Sequence, residues 1–143
     1  MIFFFHKGLE PLRDLAWKIE QTHLPVQLYM FGKQHLILDQ MKASSIRYRH
    51  GRFKREQLPQ LLVWKEIDLV LIPSICPETF SYTTNEALQL GYPVLCFALG
   101  AQQEAVERLK GGWAIEPCNA EGFIDSLLSL SKIERCSPQQ RTA

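Results

Sequence analysis

Glu78 and Glu86 flank the stretch Thr79-Phe80-Ser81-Tyr82-Thr83-Thr84-Asn85, the first in a Pro-flanked loop and the second inside a helix expected over 82–90. A carboxylate on such a helix can accept two hydrogen bonds from a vicinal diol such as ribose. The loop acid is free to face a second polyol. Between the two, the first backbone N–H groups of the helix have no intrahelical partner, and with the helix dipole they can hold a phosphate. Ser81, Thr83 and Thr84 are suited to cap that helix or donate hydroxyls beside it. A ligand with ribose at one end, a diphosphate in the middle and a hexose at the other would use both acids, and that ligand is a nucleotide sugar. Taken singly, each acid reads better as an ordinary glutamate than as a ligand-binding one, Glu86 as a solvated helix residue and Glu78 as a loop acid favoured near a helix N-terminus by the dipole.

These residues need a scaffold, and the hydrophobic pattern describes one. Leu12, Leu15, Ala16 and Ile19 form one apolar stripe on a helix expected over 9–21. The runs 26–32, 68–73, 94–97 and 113–115 are short, apolar and bounded by Gly, Pro or charge, as strands buried in a parallel sheet are. Met1-Ile2-Phe3-Phe4-Phe5 reads as another buried strand, too short for a membrane span. Residues 46–53 alternate and end in a glycine turn, and further helices are expected over 56–66, 82–90, 102–109 and 120–133. Strands alternating with amphipathic helices point to right-handed crossovers, hence an α/β fold with an open parallel sheet and helices on both faces. We assign 1–135 to this Rossmann-like domain and expect 136–143 to be a mobile tail.

Composition narrows the partners. At 143 residues and 46% hydrophobic content the chain can build one core. Its 16 basic and 15 acidic residues leave a net charge of +1, which offers no global attraction to nucleic acid. Lys42, Arg47, Arg49, Arg52, Lys54 and Arg55 do cluster, with Tyr48 and Phe53 among them. That cluster reads as a solvated basic strand edge, or as a face toward an anionic membrane, ahead of a nucleic-acid groove. Cys76, Cys96, Cys118 and Cys136 lack metal or redox spacing and are expected as free thiols in a reducing cytoplasm. His6, His23, His35 and His50 show no ligand spacing, so surface or capping roles are expected and no metal site is assigned. Trp17 and Trp64 are expected in the core, and Trp113 in a late strand.

The E-x7-E pattern of Glu78 and Glu86, with Phe80 after the first acid and Glu86-Ala87-Leu88 followed by Gly91-Tyr92-Pro93-Val94, resembles the sugar-nucleotide-binding half of GT-B glycosyltransferases, specifically the retaining family 4 type. The resemblance extends to His6-Lys7-Gly8-Leu9, the strand ending at Gly32, the turn at Gly51, Asp68-Leu69-Val70, Pro73-Ser74, and Gly100 to Glu104. It implies that Lys7 neutralises the donor pyrophosphate at the helix N-terminus, beside Ser81, Tyr82 and Thr83. Glu78, Thr79, Phe80 and Ser81 would contact the donor sugar, Glu86 the ribose, and Arg52 and Phe53 the base. Lys7 and Glu78 would carry the catalytic roles. No metal and no cofactor are implied, because basic side chains and a helix N-terminus stabilise the departing diphosphate. The donor would be a UDP- or GDP-sugar, and the role synthesis of bacterial cell-envelope polysaccharide in the cytoplasm, with peripheral membrane association.

Two departures bear on activity. The arginine that such enzymes carry before the lysine is replaced here by the run Ile2-Phe3-Phe4-Phe5, and no segment corresponds to the N-terminal domain that holds the acceptor glycan or lipid-linked glycan. Without that second wall, acceptor positioning and water exclusion are missing, so this chain alone is expected to bind donor with little or no transfer. The alternatives are a non-catalytic nucleotide-binding or interaction module derived from such a domain, and a fragment of a GT-B sugar-nucleotide epimerase.

Overall fold

The computed structural model describes residues 2–4, 9–31, 42–49, 51, 53–75 and 82–134. The expected tail and the histidines at 6, 35 and 50 lie outside them. In chain order the elements are β1 (Ile2–Phe4), α1 (Leu9–Thr22), β2 (Leu28–Phe31), β3 (Ile46–Arg49), a 3₁₀ turn (Arg55–Gln57), α2 (Leu58–Trp64), β4 (Val70–Ile72), α3 (Tyr82–Gln89), β5 (Val94–Phe97), α4 (Gly100–Leu109), β6 (Gly112–Ile115) and α5 (Ala120–Glu134). All six strands pair in parallel, in the order β3-β2-β1-β4-β5-β6.

That order has a reversal built into it. The chain runs outward from β1 through β2 to β3, returns to the other side of β1 as β4, and continues outward to β6. Connections therefore leave β1 and β4 in opposite directions, which opens a crevice above their carboxyl ends where ligands of doubly wound sheets bind.

The apolar runs look continuous in sequence because both faces of the sheet are covered, and the side chains still divide by the period of two. Leu28, Met30, Leu71, Leu95 and Phe97 join one core with Leu12, Leu15, Ala16 and Ile19 of α1 and Phe123 and Leu127 of α5. Phe97 and Phe123 stack there with ring centroids 4.3 Å apart. Phe31, Val70, Ile72, Val94 and Cys96 join the opposite core with Leu58, Leu61 and Leu62 of α2, Ala87 of α3 and Val106 of α4. Gly112 packs so closely on β5 that a Cβ would collide with the Val94 carbonyl, which lets β6 pair there.

Local chemistry sets the boundaries. The helix expected over 56–66 is divided: Gln57 Oε1 accepts the Lys54 N–H at 2.8 Å and closes the 3₁₀ turn, after which Pro59 is tolerated in the first turn of α2. His23, one of the histidines expected in surface or capping roles, follows α1 with φ 52°, and Gly91 turns the chain after α3 with φ 87°. The expected helix over 102–109 begins two residues earlier, at Gly100.

The tryptophan expectation requires correction. Trp17 is 42% exposed and Trp64 is 64% exposed. Trp17 lies on α1 opposite the stripe that faces the sheet, and Trp64 ends α2, where its ring meets the Tyr48 edge at 6.4 Å and both rings flank the Lys65 ammonium at 3.8 Å. Trp113 is in β6 as expected, on its exposed side. Of the basic cluster, Lys42, Arg47, Lys54 and Arg55 are exposed, before, on and after the edge strand β3, in agreement with the solvated-edge reading for these residues.

Candidate functional site

The chain leaves β4 through Pro73, Ser74 and Ile75 at the carboxyl end of the sheet. Ser74 is buried, and its carbonyl accepts a hydrogen bond from Gln102 Nε2 at 3.2 Å. The same amide nitrogen donates to the Phe97 carbonyl at 2.9 Å. One side chain of α4, only 5% exposed, thereby joins the ends of β4 and β5. Among the elements around this end of the sheet, that connection makes the floor.

Helix α3 divides its residues between floor and opening. Thr84, Asn85 and Ala87 are buried, and Asn85 Oδ1 accepts from Arg108 Nη2 at 2.7 Å, which fastens α3 to α4. The fully buried Thr84 cannot present its hydroxyl to a ligand, contrary to its expected role; its position one step round the helix from Thr83 turns it into the core. Thr83 is half-buried, and Tyr82 is exposed. Glu86 lies one turn after Tyr82, the spacing that puts two helical side chains on one face. Its side chain keeps 18% exposure and forms an ion pair through Oε1 with Nε of Arg55. The Arg55 guanidinium also sits over the Tyr82 ring, 5.0 Å from its centroid.

Arg55 comes from the 3₁₀ turn after β3, so the pair brings the loop from the sheet edge onto α3. A cleft of about 490 Å³ opens there, between Arg55, Glu56, Leu58 and Pro59 on one side and Glu86, Gln89 and Leu90 on the other. Phe53, expected beside a base, is half-buried and meets Phe31 edge-on at 6.3 Å, so its ring also closes the top of the core. Of the expected site residues, Tyr82, Thr83, Glu86 and Phe53 are thus placed at this end of the sheet. Lys7, Arg52, Glu78, Thr79, Phe80 and Ser81 lie outside the described residues.

A larger hollow of about 600 Å³, lined by Glu20, His23, Ser44, Lys65 and Asp68 among others, belongs to the amino ends of the strands. It is therefore on the far side from the crevice where this topology binds ligands. Cys96, buried in β5, is no nucleophile: burial first, then the neighbouring Cys118 and Glu107, push its thiol from 9.0 up to about 12. Among the described residues no helix is long and apolar enough to cross a membrane.

The sequence pointed to Glu86 but not to its ion-pair partner Arg55, nor to Gln102 between the ends of β4 and β5. Arg55 was visible only as one charge in a basic cluster, and the signal that singles it out is a carboxylate far along the chain. Gln102 lies within the stretch Gly100 to Glu104 that carried the resemblance, but its bridging role is recognised only by the carbonyls it meets.

The family described as "Glycosyl transferases group 1" matches residues 3–132 of the chain. No curated protein matches it in sequence. Among solved structures it is similar to Anabaena Alr3699/HepE in complex with UDP and glucose, with TM-score 0.70 and 20% identity over 94% of this chain and 39% of that one. The same protein in complex with UDP-glucose gives TM-score 0.69 and 21% identity over 94% and 40%. A glycosyltransferase from Rickettsia africae ESF-5 gives TM-score 0.64 and 19% identity over 93% and 38%. The chain spans about two fifths of the length of these proteins, and at such identities the likeness is one of fold. With the family match over nearly its whole length, the chain belongs to the group 1 glycosyl transferases.

Proposed function

We propose that this chain forms the donor-binding half of a retaining glycosyltransferase and takes a nucleoside-diphosphate sugar, with UDP or GDP as the nucleotide. The observation that carries the reading is Glu86, an acid withdrawn to 18% exposure on the helix after β4 and turned toward the loop after β3. One protein of similar fold is described both with UDP and glucose and with UDP-glucose, which supports the choice of ligand.

In this reading the ribose diol donates to the Glu86 carboxylate, and the first N–H groups of α3 with the Lys7 ammonium take the diphosphate. Glu78 and the backbone of Thr79, Phe80 and Ser81 hold the hexose, while Arg52 and Phe53 border the base. As the glycosidic bond to the diphosphate breaks, negative charge grows on the leaving oxygen, where Lys7 and the helix N-terminus meet it without a metal. The glycosyl group passes to an acceptor hydroxyl with retention at the anomeric carbon. The acceptor, a glycan or lipid-linked glycan of the cell envelope, is held by a partner domain, at the cytoplasmic side of a membrane.

Calorimetric or NMR titration with UDP, GDP and ADP tests the assignment, using Glu86→Ala and Lys7→Ala as controls. Saturable binding of one diphosphate, weakened at least roughly tenfold in both variants, is the expected result, since a charge-assisted contact is worth about 1.5–3 kcal/mol. Affinity indifferent to Glu86→Ala would instead favour the non-catalytic module.

A further inference from the structure

We infer that Arg55 is a positioning residue of this site, holding the Glu86 carboxylate so that its second oxygen meets the ribose diol and thereby setting the preference for ribose over sugars that lack the diol. The inference rests on the donor-site reading of Glu86 and adds a residue to it.

Three observations lead there. First, the two partners are unequally placed: Glu86 keeps 18% of its side-chain exposure, whereas Arg55 keeps 61%. A carboxylate withdrawn that far from water needs a compensating charge, and Arg55 provides it from the outer side. Second, the ion pair runs from Nε to Oε1. A carboxylate has about four acceptor positions, so one such contact restrains its rotation while leaving acceptor capacity on the other oxygen. Third, the guanidinium is itself held, with the Tyr82 ring 5.0 Å below it and its backbone in the 3₁₀ turn closed by Gln57. Tyr82 and Glu86 share one face of α3, so the arginine spans both at once. An acid free to rotate would lose orientational entropy on meeting a diol, and one already fixed loses less.

The test compares UDP and GDP with their 2′,3′-dideoxy counterparts on the full chain, in wild type, Arg55→Ala, Arg55→Lys and Glu86→Ala. In Arg55→Ala the preference for the ribose form should fall roughly tenfold, the size of one charged hydrogen bond. Affinity for the dideoxy form, which never engages Glu86, should stay within about twofold because its phosphate contacts are untouched. Arg55→Lys, which keeps the charge but not the planar fork, should recover part of the preference. A preference unchanged in Arg55→Ala, an equal loss for both ligand forms, or tighter binding of both would overturn the inference while leaving Glu86 as the ribose ligand. No nucleotide binding in wild type, or a preference that survives Glu86→Ala, would remove the donor-site reading itself and the inference with it.

Discussion

Replacing Gln102 by leucine keeps most of the side-chain volume and removes only the amide that joins the ends of β4 and β5. The amide nitrogen donates to Phe97 O at 2.9 Å and Ser74 O at 3.2 Å, with Gln102 5% exposed and Ser74 8% exposed. Water cannot readily replace the lost donor at either carbonyl. The Phe97 carbonyl also accepts the Leu99 N–H at 2.8 Å, so its loss is partial and worth about 1 kcal/mol. The Ser74 side contributes about 1–2 kcal/mol, which brings the expected destabilisation to about 2–3 kcal/mol. Gln102→Glu should cost more, because an ionised carboxylate would face two carbonyl oxygens in a buried site. Urea unfolding followed by far-ultraviolet circular dichroism measures both variants; with a slope of about 2 kcal/mol per molar, the leucine variant's midpoint should fall by about 1–1.5 M. A midpoint within about 0.25 M of wild type, or a glutamate variant as stable as the leucine one, would refute the connection on which the floor of the site depends.

Phe123→Ala should cost about 3–5 kcal/mol in the same assay, because the ring is fully buried and stacks on Phe97 at 4.3 Å; a loss below about 1 kcal/mol would mean that α5 is not packed on the sheet there. Alkaline stability should follow Cys96. Its thiol is raised from 9.0 to about 12, so the contribution is fully present below pH 9 and lost as pH rises through that window, where the unfolded chain releases the proton before the folded one does. Unfolding midpoints from pH 8 to pH 11 should therefore decline less steeply in Cys96→Ala than in wild type, and parallel declines would exclude the thiol as the cause.

Much of the fold was legible because buried parallel strands advertise themselves locally. Val70–Ile72 and Val94–Phe97 are short runs of apolar side chains with charge, proline or glycine at their margins, and the stripe of Leu12, Leu15, Ala16 and Ile19 is a helical face in any context. The tryptophans misled for an equally physical reason. A large ring can cover a neighbour without being covered itself, as Trp64 does beside Tyr48 and Lys65. Thr84 misled because hydroxyl chemistry is the same on either side of a helix, and only the packing of α3 on the sheet decides which side faces inward.

By itself the sequence determined the alternation of strand and helix, the two-sided burial of the sheet, and the acid of α3 as a residue that could do chemistry. These follow from side-chain type and periodicity within one segment, where each residue's preference is felt by its immediate neighbours. Tertiary structure alone decided that β1 lies between β2 and β4, that Arg55 from the edge of the sheet meets Glu86 near its middle, and that Gln102 joins β4 to β5. Each of those contacts unites positions distant in the chain, and their strength comes from desolvation and geometry that exist only once the elements have packed.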